Sequence, residues 1–129
     1  MAIQYKSDHI HLRSPDPVAA ARFYVEALGA REVTRLDNNG ALRIVLDLGG
    51  LSVFVEQVPA TTHRAPEPPY VGIEHIGLGV NDMDAAVADL RTRGVHFVVE
   101  PKEARPGVRI AFLEGPDKVR IELIERRPA

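Results

Sequence analysis

Residues 7–13 alternate in polarity: Ile10 and Leu12 fall on one face, and Ser7, His9, His11 and Arg13 on the other. A period of two predicts a strand with an apolar back and a polar front. The period then changes. Ala20, Phe23, Tyr24, Ala27 and Leu28 recur at helical spacing, with Asp16 as N-cap, Pro17 in the first turn and Gly29 as the stop. Residues 30–37 read as a second strand. Asn38, Asn39 and Gly40 form a hairpin signal, and strands at 42–48 and 51–57 join across Gly49 and Gly50.

Residues 58–70 carry four prolines and no periodicity, as a linker does. After it the pattern starts again. In a strand at 72–80, Ile76, Leu78 and Val80 face one way and His75, Gly77 and Gly79 the other. Asn81 or Asp82 caps a helix lined by Met83, Ala86, Val87 and Leu90, and Gly94 ends it. A strand at 95–99, a loop at 101–107 and strands at 108–113 and 119–125 complete the copy. In the last strand Val119, Ile121 and Leu123 make the apolar face, and Arg120, Glu122 and Ile124 the other.

The two halves are one pattern written twice. His9 and His75, Asp16 and Asp82, Ala20 and Ala86, and Arg43 and Arg109 are each 66 positions apart, and Gly29 and Gly94 are 65 apart. The expected fold is α+β, a single domain over residues 1–129: module one at 7–58, a linker at 59–71 and module two at 72–126. Each βαβββ module covers one sheet face with its own helix. The other face carries the histidines, so curved mixed sheets are expected to enclose a metal-binding cleft.

Composition narrows the class. The 129 residues include 45% hydrophobic and 26% charged side chains, which suits a soluble globular domain. A formal net charge of −2 without any basic block disfavours nucleic acid and anionic membranes as partners. Cysteine is absent, which excludes thiol catalysis, disulfides and thiolate metal sites. No long apolar run appears, and residues 1–6 lack a signal-peptide core, so a cytoplasmic location is expected.

His9, His75 and Glu122 share the polar face of three strands. Two imidazoles and a carboxylate form a facial set that suits Fe, Mn, Co, Ni or Zn and leaves positions open for substrate. Taken singly, each also reads as an ordinary hydrogen-bonded or solvated side chain. His11 lies beside His9 and fits an alternative ligand, a general acid or base, or a wall residue. Arg13 and Arg120 share that face and suit a carboxylate or enediolate oxygen; His11 and Arg120 are the candidate catalytic residues. Arg43 and Arg109 read as structural repeat mates. His63 and His96 have no evident partner.

Several motifs then point the same way: Asp8 to Leu12 (DHIHL), Phe23-Tyr24 before Leu28-Gly29, Glu74 to Leu78 (EHIGL), and Phe112 to Leu123 (FLEGPDKVRIEL). Over roughly residues 7–126 the chain resembles the vicinal oxygen chelate superfamily, which comprises glyoxalases, bleomycin-resistance proteins and dioxygenases. The resemblance implies paired βαβββ modules around one divalent metal, with His9, His75 and Glu122 where the family places three ligands. It also implies a homodimer, with the ligands drawn from one chain or from two.

The sequence departs from that family in two places. Metal-binding relatives carry a fourth ligand, Glu or Gln, in the last strand of module one. Aligning the hairpins puts Phe54 opposite Glu122, with Glu56 two residues on and on the same face as Phe54. A three-ligand site follows, unless a register shift brings Glu56 in. The family turn Asp-Pro-Asp-Gly reads Gly115-Pro116-Asp117-Lys118 here. The resemblance implies isomerase or lyase chemistry of glyoxalase or epimerase type on a small substrate chelated through adjacent oxygens. Ring-cleaving dioxygenase and thiol transferase activities are the enzymatic alternatives. A metal-free resistance protein that sequesters a drug is the alternative from another class.

Overall fold

The computed structural model describes residues 2–128. The chain forms two compact units, one ending at Thr62 and the other beginning at His63. The first contains β1 (Ile10–Ser14), α1 (Pro17–Leu28), β2 (Arg31–Asn38), β3 (Ala41–Leu48) and β4 (Leu51–Gln57). Its sheet runs β1-β4-β3-β2, with β1 parallel to β4 and the other pairs antiparallel. The Asp16 carboxylate accepts from the Ala19 N–H and caps α1, and Gly29 closes it at φ 73°. That left-handed conformation is where an L side chain is penalised and glycine is not. Helix α1 lies on β3 and β4. The core is built from the buried Ala20, Ala21 and Tyr24 with Ile44, Leu46, Val53 and Val55.

The second unit repeats the plan with β5 (Ile76–Gly79), α2 (Met83–Thr92), β6 (Phe97–Arg105), β7 (Val108–Glu114) and β8 (Arg120–Arg126), in the order β5-β8-β7-β6. Strand β5 is parallel to β8; the others pair antiparallel. Asp82 caps α2 by accepting from the Ala85 N–H, and Met83, Val87 and Leu90 are its buried face. A second acceptor comes from far along the chain. The Met83 N–H donates to Glu125 Oε2 at 2.7 Å, while Arg127 Nε donates to Glu125 Oε1 at 3.0 Å. Glu125 is only 5% exposed, so its charge is balanced by a helix N-terminus and a guanidinium.

Three expectations are corrected. The sheets are not curved around a metal-binding cleft. Each is an open four-stranded sheet, with β1 and β2 outermost in the first and β5 and β6 in the second. Four strands, each rotated by roughly 20–25° from the next, fall short of the eight or so that close a barrel. Among the described residues no group of three or more His, Asp or Glu side chains stands close enough to hold a metal ion. Second, residues 101–105 continue β6 instead of forming a loop. Strand β6 is outermost and its register is irregular between Val99 and Lys102, and there a proline is tolerated because its missing N–H disrupts little. Third, β5 is shorter than the strand expected at 72–80, and His75 stands just before it.

Candidate functional site

In the second unit, parallel pairing sets Glu122 of β8 opposite Gly77 of β5, two residues after His75. His75 Nε2 lies 3.5 Å from Glu122 Oε1, and both side chains are mostly buried. On its other side, His75 Nδ1 is 3.1 Å from Glu74 Oε2. The atoms are close, but they are not aligned for hydrogen bonding, and Nδ1 is buried without such a partner. With the ring proton on Nδ1 facing Glu74, Nε2 and Glu122 Oε1 are two acceptors turned toward each other. In that tautomer the pair suits a cation; with the proton on Nε2 the same two groups form an ordinary imidazole–carboxylate contact. An imidazole and a carboxylate that face each other in this way are of the ligand types that suit a divalent ion.

Glu74 extends this arrangement. Its Oε1 is 3.5 Å from Arg120 Nη1, so one carboxylate lies between Arg120 and His75. Phe112 supports both: its ring is 5.1 Å from the His75 ring, edge to face, and 4.8 Å beneath the Arg120 guanidinium. The buried Nε of Arg120 has no hydrogen-bond partner. Beyond Arg120 and Phe112 opens a cavity of about 540 Å³, walled by Pro66, Pro69, Tyr70 and Val98 and reached by Glu74 and Lys118. His75 and Glu122 do not line it; Phe112, Glu74 and Arg120 connect the pair to it.

The first unit holds His9, His11, Phe54 and Glu56. The His9 ring stacks on Phe54 with centroids 3.9 Å apart and planes at 10°, and its Nδ1 is 2.6 Å from Asp8 Oδ2. The Arg43 guanidinium lies 5.2 Å from the Phe54 centroid on that ring's face. Glu56 accepts from Asn38 Nδ2 at 2.9 Å and Arg43 Nε at 2.7 Å, and His11 Nε2 is 3.6 Å from its other oxygen. Hydrogen bonds from Asn38 and then Arg43 hold the Glu56 carboxyl below its ordinary value of 4.5, against the opposing effect of burial. This carboxylate already has strong donors. Arg109, the repeat mate of Arg43, pairs instead with Asp84 in the first turn of α2, at 2.9 Å.

The structure thus brings His75, Glu122 and Arg120 into one neighbourhood of the second unit, and His9 and His11 into one neighbourhood of the first. Two participants were missed from the sequence. Asp8 and Glu74 each precede a histidine and approach its Nδ1. The signal was present, since an acidic residue stands before the histidine in both copies.

The profile of the Glyoxalase/Bleomycin resistance protein/Dioxygenase superfamily matches residues 6–123. A Synechocystis sp. protein named "Probable lactoylglutathione lyase" is 30% identical over 121 residues, spanning 91% of this chain and 92% of that one. The uncharacterized protein YwkD of Bacillus subtilis is 29% identical over 123 residues, covering 92% and 94%. Among solved structures, a glyoxylase/bleomycin resistance protein/dioxygenase domain from Frankia sp. superimposes with a TM-score of 0.82 at 21% identity, covering 98% and 96%.

Proposed function

This chain belongs to the Glyoxalase/Bleomycin resistance protein/Dioxygenase superfamily, and from that premise we propose that it is a divalent-metal-dependent enzyme acting on a small substrate held through two adjacent oxygens, a lyase or isomerase of glyoxalase or epimerase type. The observation that carries this reading is the His75–Glu122 pair, 3.5 Å apart with a buried, unpartnered Nδ1 behind it. The name of the Synechocystis relative supports the lyase branch.

In this reading the family domain comprises modules 7–58 and 72–126 joined by a linker at 59–71. His75 and Glu122 are two ligands. The ion, when bound, supplies Lewis acidity toward two adjacent substrate oxygens. The remaining work falls to side chains. Asp8 binds Nδ1 of His9, and Glu74 stands 3.1 Å from Nδ1 of His75, so each Nε2 is the nitrogen left to ligate. Arg120 neutralises negative charge on the substrate. Phe54 keeps water from one face of His9. The fourth-ligand role is not assigned to Glu56, whose Oε1 already accepts from both Asn38 and Arg43.

The test is elemental analysis of protein purified without a histidine tag, followed by turnover assays with each of Fe(II), Mn(II), Co(II), Ni(II) and Zn(II). One equivalent of a divalent ion, lost in His75→Ala, is expected. Unchanged metal content in His75→Ala overturns the assignment. One observation favours a second reading, a metal-free ligand-binding protein: the 540 Å³ cavity is lined by Tyr70, Phe112 and prolines and by neither His75 nor Glu122. Full ligand affinity in metal-free protein that turns nothing over would establish that role.

A further inference from the structure

We infer that the cavity of the second unit is a subsite for a small monoanionic carboxylate with an apolar body, and that Arg120 is its anchor. As a ligand subsite it stands on the second unit alone; its use to hold the substrate rests on the function proposed above. Three observations carry it. The first is the state of Arg120. A guanidinium offers five N–H donors in a planar fork, yet among the described residues this one is ion-paired with Glu74 alone, at 3.5 Å, beyond the usual hydrogen-bond range, and its buried Nε has no hydrogen-bond partner. Phe112 lies beneath the guanidinium, 4.8 Å from Cζ to the ring centroid, and leaves its N–H donors unspent.

The second is the shape and chemistry of the space. About 540 Å³ matches a small-molecule site, and Val98, Phe112, Tyr70 and the proline rings supply apolar walls beside the single guanidinium. Three carboxylates also line it, those of Glu67, Glu74 and Glu114. They disfavour a dianion such as a phosphate ester more than a planar monoanion, which one fork can take with two parallel hydrogen bonds.

The third is backbone strain at the wall. Asp117 and Lys118 are consecutive non-glycine residues at φ 59° and 61°, conformations that L side chains rarely adopt. From that strained turn the Lys118 ammonium reaches Glu67, tying the proline-bearing wall to the β7–β8 connection. The Lys118 charge is thereby paired with a close carboxylate, whereas the only ion pair of Arg120 among the described residues is the longer one to Glu74.

Glu74 makes the subsite responsive. It now lies between Arg120 and His75. A carboxylate arriving on Arg120 replaces Glu74 there and leaves it wholly to His75 Nδ1. Occupancy of the cavity therefore fixes the orientation of the imidazole next door.

Calorimetric titration of the full chain, stripped of metal by chelation, tests this with benzoate, its neutral isostere benzyl alcohol, and phenylphosphonate. Benzoate is expected to bind about ten-fold or more tightly than benzyl alcohol, and Arg120→Gln to abolish that preference. Glu74→Gln, which removes the competing carboxylate, is expected to tighten benzoate several-fold, an outcome that a poorly folded variant would not give. Equal binding of benzyl alcohol, no benzoate binding, tighter binding of phenylphosphonate, or an Arg120→Gln affinity equal to wild type each overturn the subsite. Metal content, measured separately on undepleted protein, reports on the metal assignment alone, so the two can fail independently.

Discussion

Phe54 and Glu122 occupy the same place in two sheets built alike. Phe54 pairs with His11 across β1 and β4, and Glu122 pairs with Gly77 across β5 and β8. The histidine two residues earlier in each parallel partner, His9 or His75, therefore meets a phenyl ring in one unit and a carboxylate in the other. One substitution within a repeat turns an imidazole–carboxylate pair into an aromatic stack, so the two units carry different chemistry at the same position.

Phe54→Ala should keep the metal content of the wild type. The side chain is half-buried, while its neighbours Val53 and Val55 fill the core. Its truncation should cost about 1–3 kcal/mol through the lost His9 stack and Arg43 contact, below the roughly 3–5 kcal/mol of a fully buried phenylalanine. Urea unfolding gives the stability and mass spectrometry of the untagged protein gives the metal. A metal-free variant would show that Phe54 shapes the ligand set.

The depressed pKa of Glu56 makes a pH-dependent contribution to stability. Because the folded value lies below the unfolded one, the contribution is fully present above about pH 4.5 and fades as pH falls through the folded value. Glu56→Gln should therefore be less stable than wild type at neutral pH, and the gap should narrow on acidification below that point. Denaturant titrations at neutral pH, near 4.5 and near 3 would check this. A constant gap would place the effect in packing. Metal content should not change, since Asn38 and Arg43 already claim this carboxylate.

Glu74→Gln and Asp8→Asn should each weaken metal binding about ten-fold or more without loss of fold, because an amide is a poorer acceptor behind Nδ1 than a carboxylate. Long-range proton–nitrogen correlation spectra of metal-free protein offer a second readout. His75 and His9 should shift from a single Nδ1-protonated form toward a mixture. Unchanged spectra in both variants would mean that the neighbouring acids do not set the tautomers.

Glu125→Ala should cost about 1–3 kcal/mol, since it leaves the buried N–H of Met83 without its acceptor. Glu125→Gln keeps an acceptor oxygen and should lose less. Hydrogen exchange at Met83 is the specific probe: faster exchange there than at Leu90 in Glu125→Ala would locate the effect at the first turn of α2.

Local chemistry was readable from the sequence. Asp16, Asp82 and Gly29 declare the helix ends through their own side chains or their lack of one, and the alternation of Val53 and Val55 with Phe54 predicts which residues fill the core. The repeat also placed Phe54 opposite Glu122, which the pairing registers of the two sheets reproduce. Relationships set by distant neighbours were not readable. Pro101 reads as a loop because nothing local says that β6 is an outermost strand. The role of Glu125 has no local signal because its partner Met83 is 42 positions away. The curved enclosure was inferred from alternating polarity, and polarity says which face is wet without saying how far a sheet bends.

The outermost position of β6 has a consequence for behaviour at high concentration. An open strand edge is a template on which another chain can extend the sheet, and repetition of that step leads to fibrous aggregates. Along β6 the offer is broken. Pro101 has no N–H to give, the ladder to β7 is irregular between Val99 and Lys102, and Glu100, Lys102, Glu103 and Arg105 place charge along the strand around it. A proline that looked like a strand breaker in the sequence thus guards the margin of a sheet against unlimited growth.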